Sequence, residues 1–335
     1  MLFVFFSAII CSVKTDDLHR SLSRISATQE QLARERESEF LKELLKTRPE
    51  VRWATIQKEP KFRTQSLARC LLKESEVSLW FNPGTSLQLA RLACAIISGL
   101  APGSCGGVTS HADLHALGVA TEGNVQRVRG RLDAAISAFA CSRDIATRGG
   151  SEKGLTARIN LMEASLRRDV GQLHCALELL TLAEEEFSVL GDEEGLTQAQ
   201  INRSNVFQVQ EDYDEANFIL EELDGRPTSP SLRLCIRHNL IHSLARAGRP
   251  CDAAYLLASS RDLYRFGPGS LIRSRRLWVE GIIACGLGED RLARNFLGKA
   301  GLNLQSSGYS FDAALAHLDL GKILAQGDSE ARYVS

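Results

Sequence analysis

Along residues 119–331 the apolar positions follow helical spacing, and polar, glycine-marked turns interrupt them every ~40 residues. In each unit a first helix carries a small residue near its middle: Gly123, Ala164, Ser204 and Gly281. A turn follows, centred on Gly130, Gly171, Glu211, Gly248, Gly288 and Gly327, and successive turns lie 41, 40, 37, 40 and 39 residues apart. The second helix then opens on Ala135, Ala176, Ala216, Ala253 or Ala293. Helix axes approach to about 8–10 Å only where the side chains between them are small, so these residues mark the crossings. Phe139, Leu180, Leu220, Leu257 and Leu297 stand one turn further on to fill the space beside them. A period of this length predicts stacked helix pairs, each burying its apolar face against its neighbours. No stretch alternates with period two, so the expected fold is all-α: a right-handed α-solenoid of antiparallel helix pairs, shaped as a curved ribbon.

Ahead of the array the pattern is weaker. Residues 1–14 form an apolar segment too short for the about 20 residues of a bilayer span. It lacks a basic n-region and an A-x-A site, leaving open a helix packed on the array, an anchor or export signal in residues 1–13, or a start that is not the true one. Residues 15–61 read as N-terminal capping helices that begin at Thr15-Asp16-Asp17, carry Leu18, Leu22, Ile25 and Leu32, and end at Thr47-Arg48-Pro49. Residues 62–98 read as a degenerate helix pair around an Asn82-Pro83-Gly84 turn. The glycine-rich stretch 99–111 reads as an extended loop; it lacks the Gly-Lys-Ser/Thr ending of a phosphate-binding loop. Residues 112–335 then form the array. Later helix starts are marked by Asp192 and by Ser229-Pro230.

Composition narrows the functional classes. Net charge is −1, which gives no global attraction to nucleic acid or anionic membrane. Nine cysteines, an odd number without CxxC, fit reduced thiols in a cytoplasmic protein better than a disulfide framework. Cys235, His238 and His242 share a helix face, and Cys105, His111 and His115 flank the glycine-rich stretch, but neither set has a fourth ligand at useful spacing, so no metal or other cofactor is expected. The arginine runs at 127–131 and 273–276 spread around their helices without an aromatic platform, so no nucleic acid is expected. No catalytic motif stands out, and Glu184-Glu185-Glu186 point apart on one helix. The chain does not read as an enzyme.

The Ala135-x₃-Phe139 spacing with Gly123 before it resembles the tetratricopeptide repeat, in a divergent bacterial-type form with ~40-residue spacing. The motif tyrosine is absent, Trp278 sits one place late, and the closing proline is out of register. The resemblance implies a protein-interaction scaffold whose first helices line a concave groove. Carried over by register, the groove positions hold Asn124, Arg127, Arg158, Arg168, Asn205, Gln208, His238 and His242. Asparagine and arginine there suit a peptide backbone or a carboxylate, although the lysines of a carboxylate clamp are missing. Trp278, Ile282 and Cys285 are expected to make the groove more apolar toward its end.

The expected function is therefore a scaffold or adaptor that holds a peptide or protein segment in the groove. The alternative is an effector-sensing regulatory module of a signalling or transcription system. The last repeat, from Gly321 through a turn at Gly327, is expected to be incomplete, because a second helix needs about ten residues. Leu315, Leu318, Ile323 and Leu324 would then form an apolar C-terminal edge for self-association or a partner, or the chain is a truncated form of a longer relative. No membrane partner is expected.

Overall fold

The computed structural model describes residue 35 and residues 37–150, 152–266 and 269–333, and every regular element among them is helical. The apolar segment 1–14, the Thr15 start and the Leu18–Leu32 spacing lie outside the described residues. Helix α1 (37–46) and α2 (Arg52–Lys58) precede the repeats. Leu44, Ile56 and Phe62 are buried in one cluster with Leu67 and Leu71, so this segment packs on the array.

The repeats follow as helix pairs. They are α3 (Gln65–Ser78) with α4 (Pro83–Ser98), α5 (Val108–Val128) with α6 (Leu132–Ala146), and α7 (Leu155–Asp169) with α8 (Leu173–Leu190). Next come α9 (Glu193–Val209) with α10 (Tyr213–Asp224), and α11 (Pro230–Arg246) with α12 (Pro250–Ser259). A short α13 (Arg261–Phe266) precedes α14 (Gly269–Gly286), α15 (Asp290–Ser306) and the long α16 (Ser310–Tyr333). The sequence sets these starts through side chains that accept orphan N–H groups. Thr64, Asn82, Asp192, Asp212 and Ser229 all do so, and proline occupies the first turn of α4 and α11.

Alanine closes the crossings in this packing. Ala135, Ala176, Ala216, Ala253 and Ala293 are fully buried, with Phe139, Leu180, Leu220 and Leu297 beside them. A Cβ on Gly281 would meet Leu297 Cγ at 2.7 Å and its backbone nitrogen at 3.2 Å. From α5 onward, each turn within a pair places one residue in the left-handed region: Gly130, Gly171, Gly248 and Gly288 at φ of +73 to +79°. Glu211 holds the same place at φ 62°, the one non-glycine with positive φ among the described residues.

Two boundaries differ from the sequence expectation. The stretch 99–111 is not an extended loop throughout: Pro102–Cys105 forms a 3-10 turn and α5 begins at Val108. No turn occurs at Gly327, because α16 runs through Gly321 and Gly327 without a break. A mid-helix glycine costs only about 1 kcal/mol, and Lys322, Leu324 and Ala325 are good helix formers with no proline nearby. The final turn sits instead at Gly308, φ +86°, between α15 and α16. Leu315, Leu318 and Leu324 are exposed on α16, whereas Ile323 is buried against the preceding repeats.

The ribbon closes on itself. Helices α5, α7, α9, α11 and α14 pack successively as an inner layer, α16 follows α14, and α16 also touches α5. The turn after α3 reaches the far end of the array: the Tyr309 hydroxyl donates to the Leu79 carbonyl at 2.9 Å, and Ser270 Oγ donates to the Phe81 carbonyl at 3.4 Å. Trp80 packs with Leu271, Leu304 and Tyr309 in one apolar cluster. Gly269 is required there, since its φ is +76° and a Cβ would stand 2.3 Å from the Trp80 carbonyl oxygen. The expected curved ribbon thus bends far enough that its first and last units touch.

Candidate groove on the inner helices

The turn register puts equivalent side chains on the C-terminal halves of neighbouring inner helices. Arg127, Arg168 and Gln208 each stand three residues before the left-handed turn residue, and Asn124, Asn205 and His242 stand six before it. Because i and i+3 share a helix face, the repeat converts one sequence offset into a continuous row.

Arg127 and Arg168 converge on Asp169, the last residue of α7. Arg127 Nη1 donates to Oδ2 at 2.6 Å, and Arg168 donates to Oδ1 through Nε at 2.9 Å and Nη2 at 2.6 Å. Arg127 Nε also donates to Asn124 Oδ1 at 3.0 Å. Burial pushes the Asp169 carboxyl up, but Arg168 and Arg127 outweigh it and hold it below the usual carboxylate range. Two guanidinium groups share one carboxylate, so this part of the groove keeps an excess positive charge. The Asp169 carboxylate was not anticipated from sequence. A legible signal existed: an acid at a helix C-terminus opposes the helix dipole and calls for a cation beside it.

Asn205, half-buried on the next inner helix, has no side-chain hydrogen bond among the described residues. Beyond it, Gln208 Nε2 donates to the Asn239 carbonyl at 3.3 Å, which leaves Gln208 Oε1 to accept from His242 Nδ1 at 2.9 Å. Burial, joined by the Arg246 and Arg275 charges and opposed by Asp319, lowers the His242 pKa to about 4. The imidazole is therefore neutral, with its proton on Nδ1. Its ring meets Trp278 edge-on at 6.1 Å. Trp278 Nε1 donates to Asp319 Oδ2 at 2.8 Å, and Arg246 donates to the same oxygen. Arg275 holds Asp312 at 2.8 and 2.9 Å. This end of the groove is charge-balanced and polar, which corrects the expectation that Trp278, Ile282 and Cys285 make it apolar; Ile282 is itself buried in the stack.

Two of the expected residues do not join the row. His238 is turned into the stack, where Nδ1 meets the Tyr264 hydroxyl at 2.9 Å and burial drives its pKa well below the usual imidazole value. Tyr264 comes from α13, an element with no counterpart in the other repeats, and it removes His238 from the groove. Arg158 lies at the other end of α7, 3.6 Å from Glu152, which Arg69 of α3 also holds. Among the described residues no group of three or more His, Cys, Asp or Glu side chains could hold a metal ion. Among them, no helix is long and apolar enough to cross a membrane. An open cleft of about 710 Å³ lies away from the row, lined by Arg143, Glu163, Arg167 and Leu182.

No protein-family model matches the chain, and no curated protein matches it significantly. Two solved structures share its architecture. The apo form of RapI aligns with a TM-score of 0.51 at 13% identity, covering 78% of this chain and 72% of that one. A Rap protein complexed with competence and sporulation factor aligns with a TM-score of 0.53 at 12% identity, covering 82% of this chain and 79% of that one. At such low identity the likeness concerns the fold alone, and what it shows is an all-α helical-repeat solenoid.

Proposed function

We propose that the chain is an adaptor of the divergent tetratricopeptide type, holding a peptide or protein segment against its inner helices. The observation that carries this reading is the row Arg127–Arg168–Asn205–Gln208. An excess guanidinium charge and a free half-buried amide stand on adjacent inner helices, one helical turn apart in register. Such a row suits an extended segment: the amide can both donate to and accept from a peptide backbone, and the guanidinium pair can take a carboxylate. A solved structure of similar fold carries a bound factor, which supports the same use of this architecture.

Selection of a displayed random-peptide library on the immobilised full chain tests it. Enriched peptides should carry a carboxylate and bind the parent chain. Binding should fall at least tenfold, about 1.4 kcal/mol, in Asn205→Ala, whose amide makes no bond that folding needs. Failure to enrich any peptide, or binding by N205A and R168A equal to that of the parent chain, would overturn the reading. Thermal stabilisation by a macromolecule-free metabolite fraction, without peptide enrichment, would support the effector-sensing alternative.

A further inference from the structure

The outer layer carries two unpartnered apolar faces of opposite charge. On α8, α10 and α12 the outward positions hold Leu182, Phe218 and Tyr255, exposed by 53, 65 and 78%. Phe218 and Tyr255 occupy the same register, two residues after the crossing alanines Ala216 and Ala253, so neighbouring helices present them side by side. Around them residues 173–224 contain fourteen Asp or Glu and a single Arg, Arg203, which is already bound to Glu184. Glu185, Asp214, Glu215 and Glu221 are exposed and take part in no ion pair among the described residues.

Helix α15, beyond α12 in the same layer, is basic past its start, with three cations against the single acid Asp290 and with Glu289 at its N-cap. Its outer side exposes Leu292 and Leu302 at 45 and 63%, and Arg291, Arg294 and Lys299 are exposed with no carboxylate partner among the described residues. A chain of net charge −1 has thus separated its charge between two outer faces that both expose large side chains. Exposed aromatic anchors inside a field of one sign are features of binding surfaces, and complementary fields steer such surfaces together.

We infer that these faces bind each other between copies of the chain: the acidic α8–α10 face of one copy docks on the basic α15 face of a second. The faces flank α12, so a two-fold axis near Tyr255 pairs both contacts reciprocally and closes the assembly as a dimer, whereas other operators extend it into rows. The contact uses the outer layer and leaves the groove free. It is independent of the adaptor reading and of the exposed leucines on α16.

Sedimentation of the full chain at low salt (~20 mM) and high salt (~500 mM) tests this, since exposed charges are screened at the higher concentration. Dimers or larger species are expected at low salt and monomers at high salt. The doubly reversed chains Glu215→Lys/Glu221→Lys and Arg291→Glu/Arg294→Glu should each be monomeric at low salt. An equimolar mixture of the two should associate again, a recovery that misfolded variants cannot give. Monomers at both salt concentrations overturn the inference, and so does association of the wild type that neither reversal weakens or that the mixture fails to restore. A wild-type assembly dispersed only by Leu318→Lys would place the contact on α16 and overturn it too.

Discussion

Tyr309 donates its hydroxyl proton to the Leu79 carbonyl oxygen at 2.9 Å, joining two residues 230 apart in the chain. Tyr309 is also among the most deeply buried large side chains, 1% exposed. A helical-repeat array needs no such bond, because each repeat is stabilised by its neighbours. Here the bond belongs to a closure of the superhelix, and it makes the stability of the first and last repeats mutual.

Tyr309→Phe should keep the ring packing and lose one buried bond, lowering stability by about 1 kcal/mol. Gly269→Val should do more, because a side chain there meets the Trp80 carbonyl oxygen and the backbone has positive φ. Small-angle scattering should then show a larger radius of gyration for G269V and an unchanged one for Y309F. Equal radii for G269V and the wild type would mean that the closure does not set the shape.

Glu211 occupies a turn position that glycine fills in four other repeats, at φ 62°. The left-handed conformation costs an ordinary residue about 1–2 kcal/mol, of which the greater chain entropy of glycine takes back part. Glu211→Gly should therefore raise stability by roughly 0.5–1 kcal/mol in urea unfolding. A neutral or destabilising result would show that the glutamate side chain contributes something the backbone does not.

Gly281→Ala tests the crossing of α14 with α15. The new methyl must displace Leu297, whose Cγ and Cδ2 lie within 2.8 Å of the Cβ position. Overpacking of this kind costs about 1–3 kcal/mol. Adding Leu297→Ala should make room and recover part of the loss, so the double-mutant cycle should be non-additive.

The His242 pKa makes stability depend on pH. In the folded chain burial holds it at about 4, against an ordinary value of 6.5. Above pH 6.5 the imidazole is neutral in both states and contributes no slope. As pH falls below that value the unfolded chain binds the proton first, so stability declines until about pH 4, by up to roughly 3 kcal/mol. Denaturant midpoints between pH 7 and 5 should fall less steeply in His242→Gln than in the parent. An unchanged slope would place the titration elsewhere, His238 being the next candidate.

Much of the groove was legible because the repeat is local. One register places Asn124, Arg127, Arg168, Asn205, Gln208 and His242 on one side, and that follows from turn spacing alone. His238 obeys the same helical periodicity, yet α13 covers it with Tyr264, and nothing in the repeat pattern announces α13. Asp169 and Asp319 were missed for a related reason. Each gains its role from arginines on other helices, and a lone carboxylate in a helical stretch looks like any solvated residue.

By itself the sequence determined the helix pairs, their crossings at alanine and glycine, and the turn between helices even where glutamate stands in for glycine. These follow from sterics within some forty residues, so a periodic pattern records them. The closure at Leu79, Trp80, Gly269 and Tyr309 was decided by the tertiary structure alone. The small rotation from each repeat to the next accumulates around the array, and only its sum brings the first turn against the last.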